Sequence, residues 1–222
     1  MAPPTLYIGN KNYSSWSLRP WLALRMAGIT FDEALIPLGG EGYGHGRIPA
    51  VRAVSPSGRV PALRLGELTL WDSLAICEWA AEQRPEAGLW PSDPNTRALC
   101  RSVVCEMHAG FASLRAEAGM NLRRRTGPRA WSAATRDDLA RLAALWNDLR
   151  DANGHDGDHL FGRRTLADVF FTPVATRVRS YGIVLDEVSS RYVETLLADA
   201  DFRAWEADAL REPWHIPSTD AL

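Results

Sequence analysis

Apolar residues follow two patterns along the chain, which divide it into a mixed first part and a helical second part. In the first part, the apolar run at 6–8 predicts a buried strand, and helical spacing over 18–26 predicts the helix that follows. Pro20 is tolerated only in a first helical turn, so this helix should begin near residues 15–17. Residues 31–38 predict a second strand. The short crossover predicts that the two strands are parallel.

A hairpin and another helix come next. Residues 60–65 and 68–71 flank Gly66-Glu67, which is the pattern of a two-residue hairpin turn. Ser73 then stands in the position of an N-cap for a helix that runs to Arg84. Together these elements give a βαβ-ββα order.

Prolines and a glycine cluster between the two parts of the chain and mark a linker. We therefore predict an α/β domain at 1–84, a linker at 85–93 and an all-helical domain at 94–222. The predicted fold class is α/β plus all-α.

The second domain has the spacing of several helices. One face over 94–118 predicts a single long helix, and residues 139–149 trace another. Thr165-Leu166-Ala167-Asp168 has the layout of a capping box, with Asp in place of Glu, and should begin a further helix. Two short helices near 188–198 and 201–211 complete the domain.

Composition excludes several classes of function. Hydrophobic residues make up 46% of the 222 positions and charged residues 23%, which is typical of a globular protein. The net charge of −2 gives no reason to expect a nucleic-acid partner, and no apolar run is long enough to span a membrane. The first residues lack the pattern of a signal peptide. Three cysteines without a CxxC pair favour free thiols and a cytoplasmic location.

Two junctions between a strand and a helix offer candidate chemistry. At the first, Ser14, Ser15 and Ser17 could present hydroxyls beside the free N–H groups of a helix start, which favour an anion, or could act only as N-caps. At the second, Asp72 and Ser73 combine an acceptor for an ammonium group with donors for a carboxylate. These are the needs of an α-amino acid head group, although a simple cap explains them equally well.

Other features of the chain have structural interpretations. The glycines at 39–46 do not follow the GxGxxG spacing and predict a mobile loop. The segment from His155 to His159 predicts a solvated connection, and we expect no metal site there. His108 could line a cleft, but a satisfied interior histidine is the simpler interpretation. Cys77 falls on an apolar helix face and is interpreted as an inert core thiol. We also interpret a run of arginines as a solvated stretch, namely Arg123-Arg124-Arg125 with Arg129.

Three separated motifs resemble a known family. They are Ser14-Ser15-Trp16-Ser17-Leu18-Arg19-Pro20-Trp21, Arg59-Val60-Pro61-Ala62-Leu63 and Asp72-Ser73-Leu74-Ala75-Ile76-Cys77-Glu78-Trp79. In this order they resemble the thioredoxin-like half of a soluble glutathione S-transferase, and the box at 165–168 is similar to that family's helix cap. The serine-bearing start is nearest to the zeta class and to bacterial branches of the family. The zeta class has a cysteine where this chain has Trp16.

The resemblance implies a role for each matching residue. Ser14, with Ser15 as the close alternative, would donate a hydrogen bond to the sulfur of glutathione. The backbone of Val60 would pair with the cysteinyl part of the tripeptide, as an added strand does, and Pro61 would be a cis-proline. The residues Asp72 and Ser73 would hold the γ-glutamyl amine and carboxylate, and the segment from His45 to Arg47 would contact the glycine carboxylate.

The function implied is that of a glutathione transferase, in which a thiolate attacks a small electrophile held beside the helix predicted at 94–118, as in detoxification. The alternatives are a glutathione-dependent isomerase of the maleylacetoacetate type and a non-catalytic protein that binds glutathione or apolar ligands. A thiol–disulfide reductase is disfavoured because Ser14 and Ser15 occupy the place of its cysteine. The resemblance also implies a homodimer, with no metal, nucleic-acid or membrane partner.

Overall fold

The computed structural model describes residues 3–39, 43–153 and 156–222. Its first part is a four-stranded sheet with helices packed on it. In chain order the elements are β1 (Thr5–Ile8), α1 (Ser15–Met26), β2 (Asp32–Leu35), α2 (Pro49–Arg52), β3 (Ala62–Leu65), β4 (Leu68–Trp71) and α3 (Ser73–Gln83). The predicted βαβ-ββα order is confirmed.

The sheet has the strand order β2-β1-β3-β4. β1 and β2 are parallel, whereas β3 is antiparallel to both β1 and β4. Leu6 of β1 lies opposite Leu63 of β3, and both are fully buried because they point to the helix-covered face. Gly66 has a φ of +60° in the tight turn between β3 and β4, as the predicted hairpin requires.

The second part of the chain is helical. Its elements are α4 (Pro94–Ala109), α5 (Ala112–Glu117), α6 (Ala133–Asn153), α7 (Leu166–Ser180), α8 (Glu187–Ala198), α9 (Ala200–Arg211) and α10 (Pro217–Asp220), preceded by a 3-10 turn (Pro85–Ala87). α7 is buried along nearly its whole length and packs against α1, α4 and α8. The boundaries predicted for the two domains and the linker stay a prediction.

The capping box at the start of α7 is present. Asp168 accepts a hydrogen bond from the backbone N–H of Thr165 at 2.7 Å, although the predicted box has Asp where Glu is usual. The same carboxylate accepts from the N–H of Leu160 and from the hydroxyl of Tyr192. This side chain therefore joins α7 to the segment before it and to α8.

The single helix predicted at 94–118 is wrong. α4 ends at Ala109, Gly110 has extended backbone, and Phe111 adopts a left-handed conformation with a φ of +54°. A Cβ at Gly110 would lie 2.6 Å from the carbonyl oxygen of Glu106, so the close approach requires glycine. Arg115 donates to the carbonyls of His108 and Gly110, which satisfies groups that a helix end leaves free.

Three smaller predictions of element ends also need correction. β2 stops at Leu35 rather than 38, because Pro37 has no N–H and the N–H of Leu38 bonds to the side chain of Asn10 instead. β3 begins at Ala62 and not at Val60. The N-cap of α3 is Asp72 rather than Ser73.

The stretch predicted to be solvated is so only in part, since Arg125 and Arg129 are exposed whereas Arg123 and Arg124 are half-buried. Arg123 donates to the carbonyl oxygens of Ala209, Glu212 and Trp214. The guanidinium of Arg129 donates to the carbonyl oxygen of Leu222. Arg123 thereby holds the last turn of α9 and the segment after it, and Arg129 holds Leu222, which lies after α10. Every helix in the described residues is too short or too polar to cross a membrane.

Candidate active site

A cleft of about 440 Å³ opens where β1 leads into α1 and β4 leads into α3. Three groups of residues line it: Tyr13, Ser14 and Trp16, the segments 57–61 and 71–73, and parts of the segment 43–51. Two helix N-termini therefore meet at one cavity. Because the N–H groups of a first helical turn have no partners within the helix, this arrangement favours anionic groups in the cleft.

Ser14 is the N-cap of α1 and lines the cleft. Its Oγ accepts the N–H of Ser17 at 3.3 Å, and its hydroxyl donates to the Oγ of Ser17 at 2.8 Å. The Oγ of Ser17 also accepts the N–H of Gly9 at 3.1 Å. A hydroxyl is thus held at the positive end of the α1 dipole and faces the cavity.

Ser15 is not part of the cleft wall. Its Oγ accepts a hydrogen bond at 3.3 Å from Nη2 of Arg177 on α7, and burial lowers the pKa of that arginine to about 10. The hydroxyl therefore faces the helical part of the chain. Of the two serines named from the sequence, the structure brings Ser14 to the cavity.

The Val60–Pro61 peptide bond is cis, as the resemblance implies. In the described part of the chain, neither the N–H nor the carbonyl of Val60 has a hydrogen-bond partner. Both groups belong to a residue of the cleft wall. An extended peptide in the cleft could pair with them as an additional strand would.

Gly58 on the same wall packs directly against the loop opposite. It has a φ of +66°, and a Cβ there would lie only 2.4 Å from the carbonyl oxygen of Gly46. Since both the conformation and the space exclude a side chain, this glycine fixes the distance between the two loops.

Asp72 and Ser73 stand at the start of α3, on the cleft wall. Asp72 has a φ of +73°, which is unusual for a residue with a side chain, and its Oδ1 accepts the N–H of Leu74 at 2.8 Å. The Oγ of Ser73 is buried and has no hydrogen-bond partner among the described residues. An unsatisfied buried hydroxyl is costly, so a ligand that bonds to it would relieve that cost.

Arg47 is exposed and is not among the residues that line the cleft, although its neighbours Gly46 and Ile48 are. The structure thus leaves this predicted contact at the rim of the site. Residues 40–42 of the predicted glycine-rich loop, and His155 of the histidine-bearing segment, lie outside the described residues. Within the described ranges, no three His, Cys, Asp or Glu side chains come together as a metal site.

Tyr13 was not singled out from the sequence, yet its phenol lines the cleft beside Ser14. Its hydroxyl donates to Oδ1 of Asp220 at 2.8 Å, and burial, followed by this hydrogen bond, raises the pKa of the phenol. The phenol proton of Tyr13 is therefore already engaged in a hydrogen bond with another residue of the protein. Its place next to the serines could have drawn attention to Tyr13, but nothing local in the sequence predicts its partner.

Trp16 is a second residue of the cleft wall that was not singled out from the sequence. The guanidinium groups of Arg19 and Arg115 lie 4.4 and 4.7 Å from its ring centroid, and the ring of His108 meets it edge-on at 5.2 Å. Such cation–π contacts fix a tryptophan in place. The side of the cleft formed by Trp16 is therefore aromatic and is backed by positive charge.

His108 is not the satisfied interior histidine that was predicted. Its Nδ1 is buried without a partner among the described residues, and its Nε2 lies 3.4 Å from Oδ2 of Asp72. Burial lowers the pKa of this imidazole; Asp72 opposes that effect, while Arg19 and Arg115 add to it. The residue joins α4 to the start of α3.

Comparison with known proteins identifies the family. Residues 13–83 match the model of the glutathione S-transferase N-terminal domain. The chain is 32% identical over 188 residues to a maleylacetoacetate isomerase of Pseudomonas aeruginosa, a match that covers 82% of this chain and 84% of the relative. The chain belongs to the glutathione S-transferase family. A second relative, the maleylacetoacetate isomerase of Rattus norvegicus, is 33% identical over 114 residues, which is 50% of each chain.

A solved structure shows the same fold as this glutathione S-transferase family member. A glutathione transferase homologue from Burkholderia, crystallised with bound glutathione, superposes with a TM-score of 0.73. The superposition covers 95% of this chain and 100% of the other at 23% identity. The fold is therefore shared along nearly the whole chain, including the helical second part.

Two of the three cysteines of this transferase-family chain, Cys77 and Cys100, are not suited to be a nucleophile. Cys77 is fully buried on α3, and burial raises the pKa of its thiol, as its interpretation as an inert core residue predicts. Burial raises the pKa of Cys100 to about 12. Because only a thiolate is reactive, neither side chain supplies one near neutral pH.

Proposed function

We propose that the cleft binds glutathione and that the hydroxyl of Ser14 donates a hydrogen bond to its sulfur, so that the thiol ionises near neutral pH. The observation that supports this proposal is the convergence of three groups on one cavity. They are the Ser14 hydroxyl, the backbone of Val60 and the start of α3 with the hydroxyl of Ser73, and the last two groups have no hydrogen-bond partner among the described residues.

Each part of the tripeptide then has a matching protein group. The cysteinyl backbone pairs with the N–H and carbonyl of Val60, which the cis bond to Pro61 follows directly. Ser73 and the N-terminus of α3 bind the γ-glutamyl carboxylate, and the carboxylate of Asp72 binds the amine. Arg47, at the exposed rim, remains the candidate for the glycine carboxylate.

The change in the thiol pKa that Ser14 must help to produce is small. A free thiol has a pKa of about 8.5, so only a few per cent is ionised at neutral pH. A hydroxyl donor and a helix N-terminus together can lower that pKa by about one to two units, each worth about 1.4 kcal/mol. At neutral pH this makes the thiolate a large share of the bound glutathione.

The first reaction we propose for this thiolate is transfer to a small electrophile. The sulfur attacks an electron-poor carbon, a C–S bond forms, and the leaving group departs with the bonding electrons. The side of the cleft beside Trp16 is the place for such a substrate, because its ring offers an apolar surface close to Ser14.

The second candidate is a glutathione-dependent cis–trans isomerisation. Here the thiolate adds to a carbon–carbon double bond, the resulting single bond rotates, and elimination restores both the double bond and glutathione. The relatives from Pseudomonas aeruginosa and Rattus norvegicus, both named maleylacetoacetate isomerase, favour this candidate. Both candidates need the same ionised sulfur.

Binding and turnover measured together test the proposal. We expect calorimetry to show one glutathione bound per chain, and kinetics to show turnover of an aryl halide or of maleylacetone in its presence. Turnover of the aryl halide supports the transferase, and turnover of maleylacetone supports the isomerase. Glutathione binding without either activity would instead indicate a binding protein, and no glutathione binding would refute the proposal.

A further inference from the structure

The loop between β1 and α1 ends at Ser14, and a distant acidic residue holds its backbone. The N–H groups of Lys11 and Asn12 donate to the two carboxylate oxygens of Glu212, at 2.6 and 3.1 Å. Lys11 is 4% exposed and Asn12 is fully buried, so few waters could replace this partner. A buried N–H without an acceptor costs about 1–3 kcal/mol. The carboxylate therefore stabilises one conformation of this loop.

The same loop has further contacts with the C-terminal half of the chain. Asn12 accepts the N–H of Leu122 at its carbonyl and the N–H of Arg123 at its side-chain oxygen, and its amide donates to Asn121. The indole of Trp205 donates to the carbonyl of Lys11 at 3.0 Å. The backbone before Ser14 is thus anchored to residues more than a hundred positions away.

Glu212 is itself fixed. It caps the C-terminus of α9, and its backbone carbonyl accepts a hydrogen bond from Arg123. Burial raises the pKa of its carboxyl, while the two N–H groups and the charges of Arg123 and Lys11 act against that rise. The two N–H groups therefore favour the ionised side chain in this half-buried place.

We propose that Glu212 is a positioning residue for the active site: by accepting the N–H groups of Lys11 and Asn12, it fixes the loop that orients the Ser14 hydroxyl toward the bound sulfur. This inference rests on the proposed role of Ser14. Glu212 is not part of the cleft wall, so it acts on glutathione only through the loop.

A double-mutant cycle tests this role, with the pKa of bound glutathione's thiol as the readout, measured by titration of thiolate absorbance in the ultraviolet. Glu212→Gln keeps the shape of the side chain but turns an NH₂ group toward one of the two N–H donors. We expect the pKa of the bound thiol to rise by about half to one unit and kcat at neutral pH to fall about two- to eightfold, with the glutathione Kd within about threefold. In the Ser14→Ala background, Glu212→Gln should cause no further rise.

A control variant separates positioning from general loss of stability. Asp186→Asn weakens the N-cap of α8, where Asp186 accepts from the N–H of Ser189 at 2.9 Å, and it lies outside the cleft wall. This variant should lower the Tm without moving the thiol pKa. A shift in the control equal to that in Glu212→Gln would overturn the positioning role.

The remaining outcomes separate the two proposals. If Ser14→Ala leaves the pKa of the bound thiol unchanged, the proposed function fails. If Ser14→Ala raises that pKa but Glu212→Gln does not, or if the two effects add in the double variant, the role of Glu212 fails and the proposed function stands. Should Glu212→Gln not fold, Glu212→Asp withdraws the carboxylate from the loop by one methylene. If the thiol of glutathione bound to Glu212→Asp has the same pKa as in the wild type, the inference is also overturned.

Discussion

The hydroxyl of Ser14 donates to that of Ser17, with 2.8 Å between their Oγ atoms. A hydroxyl has one proton and two acceptor lone pairs, and it rotates to suit its partners. Ser17 can therefore turn its own proton toward Ser14 when Ser14 turns toward a ligand. The N–H of Gly9 keeps the Ser17 oxygen satisfied during this exchange. Redirecting the Ser14 proton to a bound sulfur consequently leaves no buried group without a partner.

Ser14→Ala should reduce kcat about three- to twentyfold at neutral pH, because the hydroxyl supplies a large part of the one- to two-unit fall in the thiol pKa and the wild-type thiol is already largely ionised. The Kd of glutathione should rise by no more than about fourfold, since the other contacts of the tripeptide remain and only the stabilisation of its thiolate is lost. Steady-state kinetics and calorimetry measure both quantities. Wild-type turnover in this variant would contradict the choice of Ser14.

Ser15→Ala should keep kcat within about twofold of the wild type, because its hydroxyl faces Arg177 and not the cleft. The buried guanidinium loses one acceptor, so the free energy of unfolding should fall by about 1–3 kcal/mol. Urea unfolding measures that loss. A larger fall in turnover for Ser15→Ala than for Ser14→Ala would exchange the roles of the two serines.

His108 should make the fold less stable in mild acid. Burial lowers its pKa below the ordinary value of 6.5, so between the two values the unfolded chain binds more protons than the folded one. The stability that depends on this group is therefore fully present above the pKa of His108 in the unfolded chain. It is lost as the pH falls toward the pKa of His108 in the folded chain. Denaturant unfolding between about pH 7.5 and 5.5 should show a smaller loss for His108→Gln than for the wild type. Equal losses would show that His108 contributes nothing to the pH dependence.

Asp168→Asn should destabilise the fold more than Thr165→Ala. The first change replaces a buried carboxylate that accepts from Thr165, Leu160 and Tyr192, and should cost about 2–4 kcal/mol. The second removes only the side chain of an N-cap, which is worth about 1 kcal/mol. Chemical unfolding of both variants checks the order. The reverse order would mean that Thr165 is the main cap of α7.

The chain should form a homodimer, as the family resemblance implies. Leu68 on β4 and Leu99 on α4 are 56% and 50% exposed, which leaves apolar surface available for a second copy. Light scattering at micromolar concentration should give twice the mass of one chain. A mass of one chain under those conditions would refute this prediction.

Local signals carried most of what the sequence could predict. β1, α1 and the hairpin around Gly66 follow from periodicity and turn residues, and the motifs around Val60 and Asp72 pointed to segments that do line one cleft. The break after α4 was missed because apolar spacing continues through Phe111 and Leu114. A lone glycine is tolerated in helices, and the break depends on distant acceptors, such as Asp138 for the N–H of Leu114.

The contacts that orient the site could not be predicted in the same way. Tyr13 and Asp220 are 207 positions apart, and Lys11 and Glu212 are 201 apart. Neither pair belongs to a repeating pattern, because each bond depends on how the C-terminal segment returns to the loop before α1. The candidate residues of the cleft were therefore accessible from local motifs, whereas their orientation required the folded chain.

A crystal structure of the chain with glutathione bound tests most directly whether Ser14 activates the sulfur. We predict that the sulfur lies within hydrogen-bonding distance of the Ser14 Oγ, with the cysteinyl backbone paired to Val60 and the Tyr13 hydroxyl still bonded to Asp220. A sulfur that contacts the hydroxyl of Tyr13 or Ser15 instead, with Ser14 still donating to Ser17, would contradict that assignment.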